Sequence, residues 1–460
     1  MSSPHIVWLR RDLRMADQPA LHAAAEAGPV IPVYVLDDAS AGDHAYGGAS
    51  RWWLHHSLES LAKSLGARHS RIVLRRGDAP TVLAALAKET GAAAVHAIRH
   101  YEPWWRKAQT ELREALPDDC TLELHDGNYL AEPGAVQTGS GGAYKIYTPF
   151  SKAVLAQMPP RDELPEPETI PLPETWPKSD DLADWKLLPT RPDWAGGMRA
   201  FWQVGEGAAL ERLEDWAGDV AGYDTGRNLP SQSLSSRLSP HLHWGEISPV
   251  QVWHHLSSGR SKGWKTFEKE LIWRDYAQQT IAQFPDYPSR SYRDGYSGLW
   301  RSGKAAEADF AAWTKGMTGY PIVDAGMRQL WQTGWMHNRV RMIAASFLVK
   351  NLLIDWRRGE QWFWDCLVDA DYGNNGVNWQ WISGTGVDSN MFSRIMAPIT
   401  QSEKFDAAAY IREHVPELAG LDDADIHDPP DGKRGDYPAQ IIGHKAARER
   451  ALDAYRKAKD

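Results

Sequence analysis

Two cysteines, Cys120 and Cys366, are all that 460 residues supply. Neither a disulfide framework nor a four-cysteine iron–sulfur or zinc site fits within one chain, so any redox chemistry needs a bound organic cofactor. No apolar run approaches the roughly 18 to 20 residues that span a bilayer, and Met1–Arg14 carries charges where a secretory leader has its apolar centre. A soluble, cytoplasmic protein with no membrane partner is expected. An excess of positive charge is also missing, the net charge being −9. Nucleic-acid binding depends on a local basic face, so this total neither predicts nor excludes it. Internal repeats and low-complexity tracts are absent. Phenylalanine is scarce, nine residues against 23 tryptophans, and that excess of large N–H-bearing rings wants a physical reason.

The first third alternates short β-branched runs with helical stretches. Ile6–Leu9, Val30–Leu36, Ile72–Arg75, Ala94–Ile98 and Thr121–Leu124 read as strands, with helices such as Ser57–Leu65 and Ala79–Thr90 between them. That alternation implies right-handed crossovers and a parallel sheet covered on both faces. Residues 1–130 are therefore expected to form an α/β domain with a Rossmann-like parallel sheet and a ligand crevice beyond the carboxyl ends of its strands. Residues 131–195 read as an interdomain connector, rich in prolines such as Pro159, Pro160, Pro165, Pro167, Pro171, Pro173 and Pro177. From 196 to 460 the strand pattern vanishes and helical spacing governs Leu210–Trp216, Thr266–Ile281, Ile322–Trp331 and Trp335–Leu353. That part is expected to be all-helical.

Chemistry-bearing residues concentrate in the helical part. Tyr223-Asp-Thr-Gly-Arg227 precedes Ser233-Leu-Ser-Ser-Arg-Leu-Ser239, where hydroxyls, Arg237 and backbone amides ahead of a helix could hold a pyrophosphate. A serine-rich stretch before a helix is more often only a cap and loop. Glu270, Trp273 and Arg274 fall at i, i+3 and i+4, placing a carboxylate, a flat ring and a cation on one helix face that could receive a base. A packing tryptophan beside a surface ion pair would have the same spacing. Asn338 and Met342 share a face four residues apart, and methionine there is usually core.

The most informative stretch is Asp369-Ala-Asp-Tyr-Gly-Asn-Asn-Gly-Val-Asn-Trp-Gln-Trp381. Two acids, three asparagines and two tryptophans are costly to bury without a task, and a surface loop would not need the tryptophans. Together with Trp8-Leu-Arg-Arg-Asp-Leu-Arg14, Thr318-Gly-Tyr-Pro-Ile-Val-Asp324 and Asn338-Arg339, these motifs resemble class I cyclobutane pyrimidine dimer photolyases of the photolyase/cryptochrome family. The resemblance covers nearly the whole chain, with several long motifs in order.

What it implies is an antenna-pigment domain followed by an all-α FAD-binding domain, and light-driven repair of DNA containing pyrimidine dimers. Tyr223 and the run Ser235, Ser236, Arg237, Leu238, Ser239 would bind the phosphates and ribityl chain of FAD. Asp369 and Asp371 would contact the flavin–adenine side, Arg341 would pair with Asp369, and Asn375 would face the flavin N5. Glu270, Trp273, Asn338, Met342 and Trp381 would line the lesion pocket, with Arg227, Arg274 and Arg339 on DNA phosphates. Trp379, Trp356 and Trp300 would relay electrons to the flavin. The dimer would have to leave the duplex to reach it. No metal and no obligate protein partner are expected, and a monomer suffices.

Two stretches depart from the pattern. Asn390-Met-Phe-Ser-Arg394 stands where the family commonly has Pro-Tyr-Phe-Arg, beside the pocket. Tyr101-Glu-Pro-Trp-Trp-Arg106 lacks the Asn-Glu pair of folate-binding members, which leaves the second, antenna chromophore open among a folate, a deazaflavin, a flavin and none. Rival readings are a cryptochrome without repair activity, a (6-4) photolyase, which would place histidine at Asn338, and an electron-transfer flavoprotein without a DNA substrate. The last would not need an aromatic pocket beside its flavin.

Overall fold

Five strands form one all-parallel sheet in the order β3-β2-β1-β4-β5. They are β1 His5–Leu9, β2 Val30–Leu36, β3 Val73–Arg76, β4 Ala94–Ile98 and β5 Thr121–His125, within a residue or two of the sequence reading. The structure is a computed structural model that describes residues 3–259, 261–389 and 395–459, so the Asn390–Arg394 departure lies outside the described residues. Helices α1 Pro19–Ala27, α2 Gly48–Gly66, α3 Ala79–Thr90 and α4 Pro103–Ala115 alternate with the strands. Every residue of β2 is buried, as a sheet covered on both faces requires. Strand order reverses between β1 and β4, which puts the crevice beyond Leu9 and Ile98.

Local chemistry explains both the good and the poor boundaries. α3 begins where Asp78 accepts the Thr81 amide at 3.1 Å and ends at Gly91, whose φ of 64° suits a left-handed C-cap. α2 starts nine residues before the expected Ser57. A Cβ on Gly47 would lie 2.4 Å from the Asp365 Cα, so glycine lets the start of that helix press against a helix far along the chain.

The helical part comprises α5 Tyr147–Leu155, α6 Gly196–Phe201, α7 Glu206–Ala217, α8 Tyr223–Gly226, α9 Ser239–Trp244, α10 Pro249–Ser257, α11 Lys262–Gln283, α12 Lys304–Thr314, α13 Pro321–Thr333, α14 Asn338–Ser346, α15 Trp356–Cys366, α16 Tyr372–Ser383, α17 Pro398–Lys404, α18 Ala408–His414 and α19 His444–Lys459. Two expectations are corrected. The stretch 131–195 is not only a connector, because it contains α5, whose Phe150 and Val154 are buried in the helical core. Nor is Trp335–Leu353 one helix. Gly334, at φ 70°, closes α13, α14 starts only after His337, and Phe347–Asn351 is a π-helical turn ending near Leu353 at φ 52°.

Much of the tryptophan excess sits where the two parts meet. Trp52, Trp53, Trp185, Trp202, Trp244 and Trp335 share one buried cluster with Val7, Leu9 and Ile98 of the sheet. Their indole N–H groups reach fixed acceptors: Trp53 to Glu246 at 3.0 Å, Trp202 to the Thr333 carbonyl at 2.7 Å, Trp244 to the Val368 carbonyl at 2.9 Å. A ring with a polar handle glues such a seam better than phenylalanine. The Thr318–Asp324 motif is likewise structural, since Asp324 accepts from the Thr318 amide and hydroxyl and from the Gly319 amide.

Two buried carboxyls lie along the same seam. Burial pushes Glu132 up to about 8, with a hydrogen bond from Tyr101 opposing it, and pushes Asp275 up to about 7. Below about pH 4.5 both folded and unfolded chains hold the Glu132 proton. As pH rises the unfolded chain ionises first, so the native state loses stability until pH passes about 8. Glu132→Gln should therefore stabilise the protein at pH 8 by about 2–4 kcal/mol and flatten the pH 5–8 slope in chemical denaturation. An unchanged slope would show that the carboxyl is ionised in the fold.

Candidate functional site

Four helices, α9, α11, α14 and α16, converge with the Ser233–Leu238 loop around two acids. Asp369, just ahead of α16, accepts both Arg341 guanidinium nitrogens at 3.1 and 2.9 Å and the Ser239 hydroxyl at 2.6 Å. This bidentate fork ties α14 and the serine loop to α16. Asp371 caps α16 through the Asn374 amide at 2.7 Å. It also takes Arg11 at 3.0 Å and Gln278 at 3.1 Å, with His243 Nδ1 3.6 Å away. Burial pushes this carboxyl up, but His243 and Arg11 outweigh it and hold it well below the usual range.

The sequence reading missed Arg11, His243 and Gln278, because contacts across 93 to 360 residues leave no local pattern. Beside Asp371, His243 Nε2 and Gln278 Oε1 are buried without a hydrogen-bond partner. Such atoms fit the polar edges of a nucleotide cofactor and are expensive otherwise. In the serine loop Arg237 adopts φ 55° and lies over Phe201 at 4.6 Å, while Ser236 and Leu238 are buried. α9, expected to present its amides to a pyrophosphate, has only six residues, and its Ser239 hydroxyl is committed to Asp369. Tyr223 is buried under Arg227, 5.4 Å from its ring.

The α11 face comes together as spaced, with one change. Glu270 is ion-paired with Arg227, and Trp273 is stacked flat on Tyr147, centroids 3.5 Å apart and planes at 4°. One face of Trp273 is therefore covered by a residue of the expected connector. Asn338 is exposed at the start of α14 and Met342 half-buried one turn on, its sulfur 3.7 Å from Arg339 Nη1. Trp381 is exposed at 38%. Arg339 reaches Asn228 at 2.5 Å and lies over Phe405. Arg274 donates to the Leu242 carbonyl at 3.0 Å and lies over Tyr129.

Asn375 is buried, its amide nitrogen donating to the Glu360 carboxyl and backbone carbonyl at 2.9 and 3.0 Å. Of the three relay tryptophans, Trp379 and Trp356 are buried and Trp300 is half-buried. Trp379 rests on α15 over Gly359, where a Cβ would fall 2.2 Å from the ring, one turn beyond Trp356. Its ring neighbours include Phe363 at 5.0 Å and Trp313 at 6.4 Å.

In the sheet crevice Arg10 and His100 are fully buried and have ring or guanidinium nitrogens without partners, while Glu102 is ion-paired with Arg11. Among the described residues one trio could hold a metal, His55, His56 and Glu59 on α2. Its carboxylate serves both rings as i,i+4 and i,i+3 pairs, at 3.3 and 2.9 Å, a surface-helix arrangement that needs no ion. No helix is long and apolar enough to cross a membrane, among the described residues.

Comparison with known proteins points the same way. Residues 5–168 match the DNA photolyase family, and residues 267–457 match the FAD binding domain of DNA photolyase. The chain is 46% identical to a deoxyribodipyrimidine photo-lyase of Agrobacterium fabrum, over 99% of this chain and 98% of that protein. Among solved structures, a bacterial class III photolyase from Agrobacterium tumefaciens superposes with a TM-score of 0.94 at 46% identity, covering 100% of this chain and 98% of that one. An archaeal photolyase from Sulfolobus tokodaii, solved with two FAD molecules, gives 0.83 at 27% identity, covering 99% and 100%.

Proposed function

The chain belongs to the photolyase/cryptochrome family, and from that premise we infer a light-driven deoxyribodipyrimidine photo-lyase, a flavoprotein that repairs pyrimidine dimers in DNA. The observation that carries this is 46% identity to such an enzyme over essentially the whole of both chains. When bound, FAD supplies the chemistry: reduced and light-excited, it lends one electron to the dimer, whose cyclobutane bonds then open. A second, light-harvesting chromophore is compatible with the unpartnered Arg10 and His100 nitrogens at the sheet crevice.

The residues hold cofactor and lesion as follows. Tyr223 and the Ser235–Ser239 loop, kept in place by the Arg341–Asp369 fork, would hold the phosphate and ribityl region. Asp371, held by Arg11 and Gln278 with His243 beside it, would take the flavin–adenine side, and Asn375 would meet the flavin N5. Glu270, Trp273, Asn338, Met342 and Trp381 receive the flipped dimer, its rings against aromatic faces and its carbonyls near Glu270. Arg227 and Arg339 take phosphates and carry no sequence preference. Trp379, Trp356 and Trp300 conduct electrons inward from the half-buried Trp300.

Within the family, the class I placement rests on sequence motifs, whereas the 46%-identical solved structure is a class III enzyme, and we give that subclass the greater weight. We also propose a cytoplasmic monomer whose parts 1–130 and 196–460 are joined by 131–195, a stretch that also gives α5 to the helical core. The test is direct: the reduced protein should restore thymine monomers from an irradiated oligonucleotide only under blue or near-UV light. Trp379→Phe should repair normally after chemical reduction but fail to become reduced by light. A parent protein that binds FAD yet leaves dimers intact would favour the cryptochrome reading.

A further inference from the structure

Glu360 on α15 is only 1% exposed, and none of the roles above uses it. Its Oε1 and its backbone carbonyl both accept from the Asn375 amide nitrogen. With two acceptors facing that nitrogen the amide orientation is fixed by chemistry, since the flipped amide would set oxygen against oxygen. What Asn375 has left to offer is its carbonyl oxygen, an acceptor.

Glu360 is held in turn from the other domain. His44 Nε2 lies 3.3 Å from Glu360 Oε1. His44 ends the short turn Gly42–His44 between β2 and α2, and is itself buried. Its ring is boxed edge-on by Trp364 at 5.1 Å and Tyr372 at 4.8 Å, and stacked on Trp104 at 6.5 Å. Trp364 also donates its indole N–H to the Ala45 carbonyl at 2.8 Å, which pins the chain just beyond the histidine. A sheet-domain side chain is thus fixed in an aromatic box, one hydrogen bond from the residue that orients Asn375.

We propose that His44 is a positioning residue for the redox edge of the flavin: through Glu360 it locks the Asn375 amide with its carbonyl toward N5. This rests on the reading that Asn375 faces N5. Reduced flavin carries a proton at N5 and oxidised flavin a bare lone pair, so a fixed acceptor there favours the reduced form that repair requires. A contact from the antenna domain then helps set the potential of a cofactor bound in the other.

The test is an equilibrium redox titration of the FAD-loaded protein, followed by flavin absorbance, with FAD occupancy measured alongside. His44→Phe keeps the aromatic box filled and removes the hydrogen bond; His44→Gln restores a donor. His44→Phe should lower the midpoint potential by about 60 mV for a one-electron step, a tenfold change in the equilibrium constant. His44→Gln should recover most of that shift. Asn375→Ala should lower the potential further, and His44→Phe added to it should change nothing more, because His44 acts only through that amide. If Asn375→Ala shifts the potential and His44→Phe leaves it at the parent value, the role of His44 is overturned. If Asn375→Ala itself causes no shift, the placement of Asn375 at N5 fails, and the proposal with it.

Discussion

Arg11→Met is expected to lower stability by about 3–5 kcal/mol and to strip most of the FAD from the purified protein. The side chain is 6% exposed and joins two acids, the half-buried Asp371 at 3.0 Å in the helical part and the buried Glu102 in the sheet crevice. Without it, the Asp371 and Glu102 carboxyls lose the cation they share, and Asp371 loses one of the groups that keep it ionised. Chemical denaturation and the flavin absorbance of the purified protein measure the two effects. Adding Asp371→Asn to Arg11→Met should recover part of the stability without recovering FAD, because it removes the stranded charge but not the need for an acid there. The depressed Asp371 carboxyl contributes stability above its unfolded value of 3.8 and loses it as pH falls below about 4, so the variant, in which His243 and the Asn374 amide still hold the carboxyl down, should show a smaller acid limb than the parent's pH profile. An Arg11→Met protein with the parent's denaturation midpoint and full flavin content would show that the ion pair contributes nothing net.

The centre of the sheet was legible because β1, β2 and β4 are short, largely apolar and buried runs between turn residues, as strands of a parallel sheet covered on both faces are. The Arg341–Asp369 pair followed from a family resemblance; their spacing of 28 residues could not have supplied it. Arg11 stood in plain view within Trp8–Arg14, yet nothing local says which of its three arginines faces inward across the domain seam. In fact all three are buried, Arg14 holding the Asp17, Gly127 and Gly245 carbonyls and the Asn128 side chain. Glu360 and His44 were invisible for the same reason: a buried acid on an amphipathic helix and a histidine in a polar turn acquire meaning only when 316 residues of chain bring them together. The break in Trp335–Leu353 was hidden because its π-helical turn keeps every side chain from Phe347 to Asn351 buried, as an unbroken core helix would.

Trp381→Ala should weaken binding to dimer-containing DNA more than Trp273→Ala does. Removing a base-stacking ring costs roughly 1–3 kcal/mol, up to about a hundredfold in affinity. Trp381 is 38% exposed and so offers its ring to an incoming base. Trp273 is half-buried, and Tyr147 lies flat against it at 3.5 Å, so deleting it uncovers a second aromatic face where the first was lost. The expected order of affinity for irradiated oligonucleotide is parent, then Trp273→Ala, then Trp381→Ala, with FAD retained in all three. Glu270→Ala separates binding from chemistry. Its carboxylate neutralises Arg227, so the variant exposes one more cation to phosphate. Affinity for undamaged DNA should rise at low salt, and the slope of log affinity against log salt should steepen by about 0.7–0.9. The quantum yield of dimer splitting should fall meanwhile, since losing the Arg227–Glu270 pair frees a guanidinium that the parent holds fixed at the edge of the pocket. A Glu270→Ala protein with an unchanged salt slope and yield would place that carboxylate outside the lesion pocket, and equal losses for the two tryptophan variants would mean that Tyr147 moves aside when DNA binds.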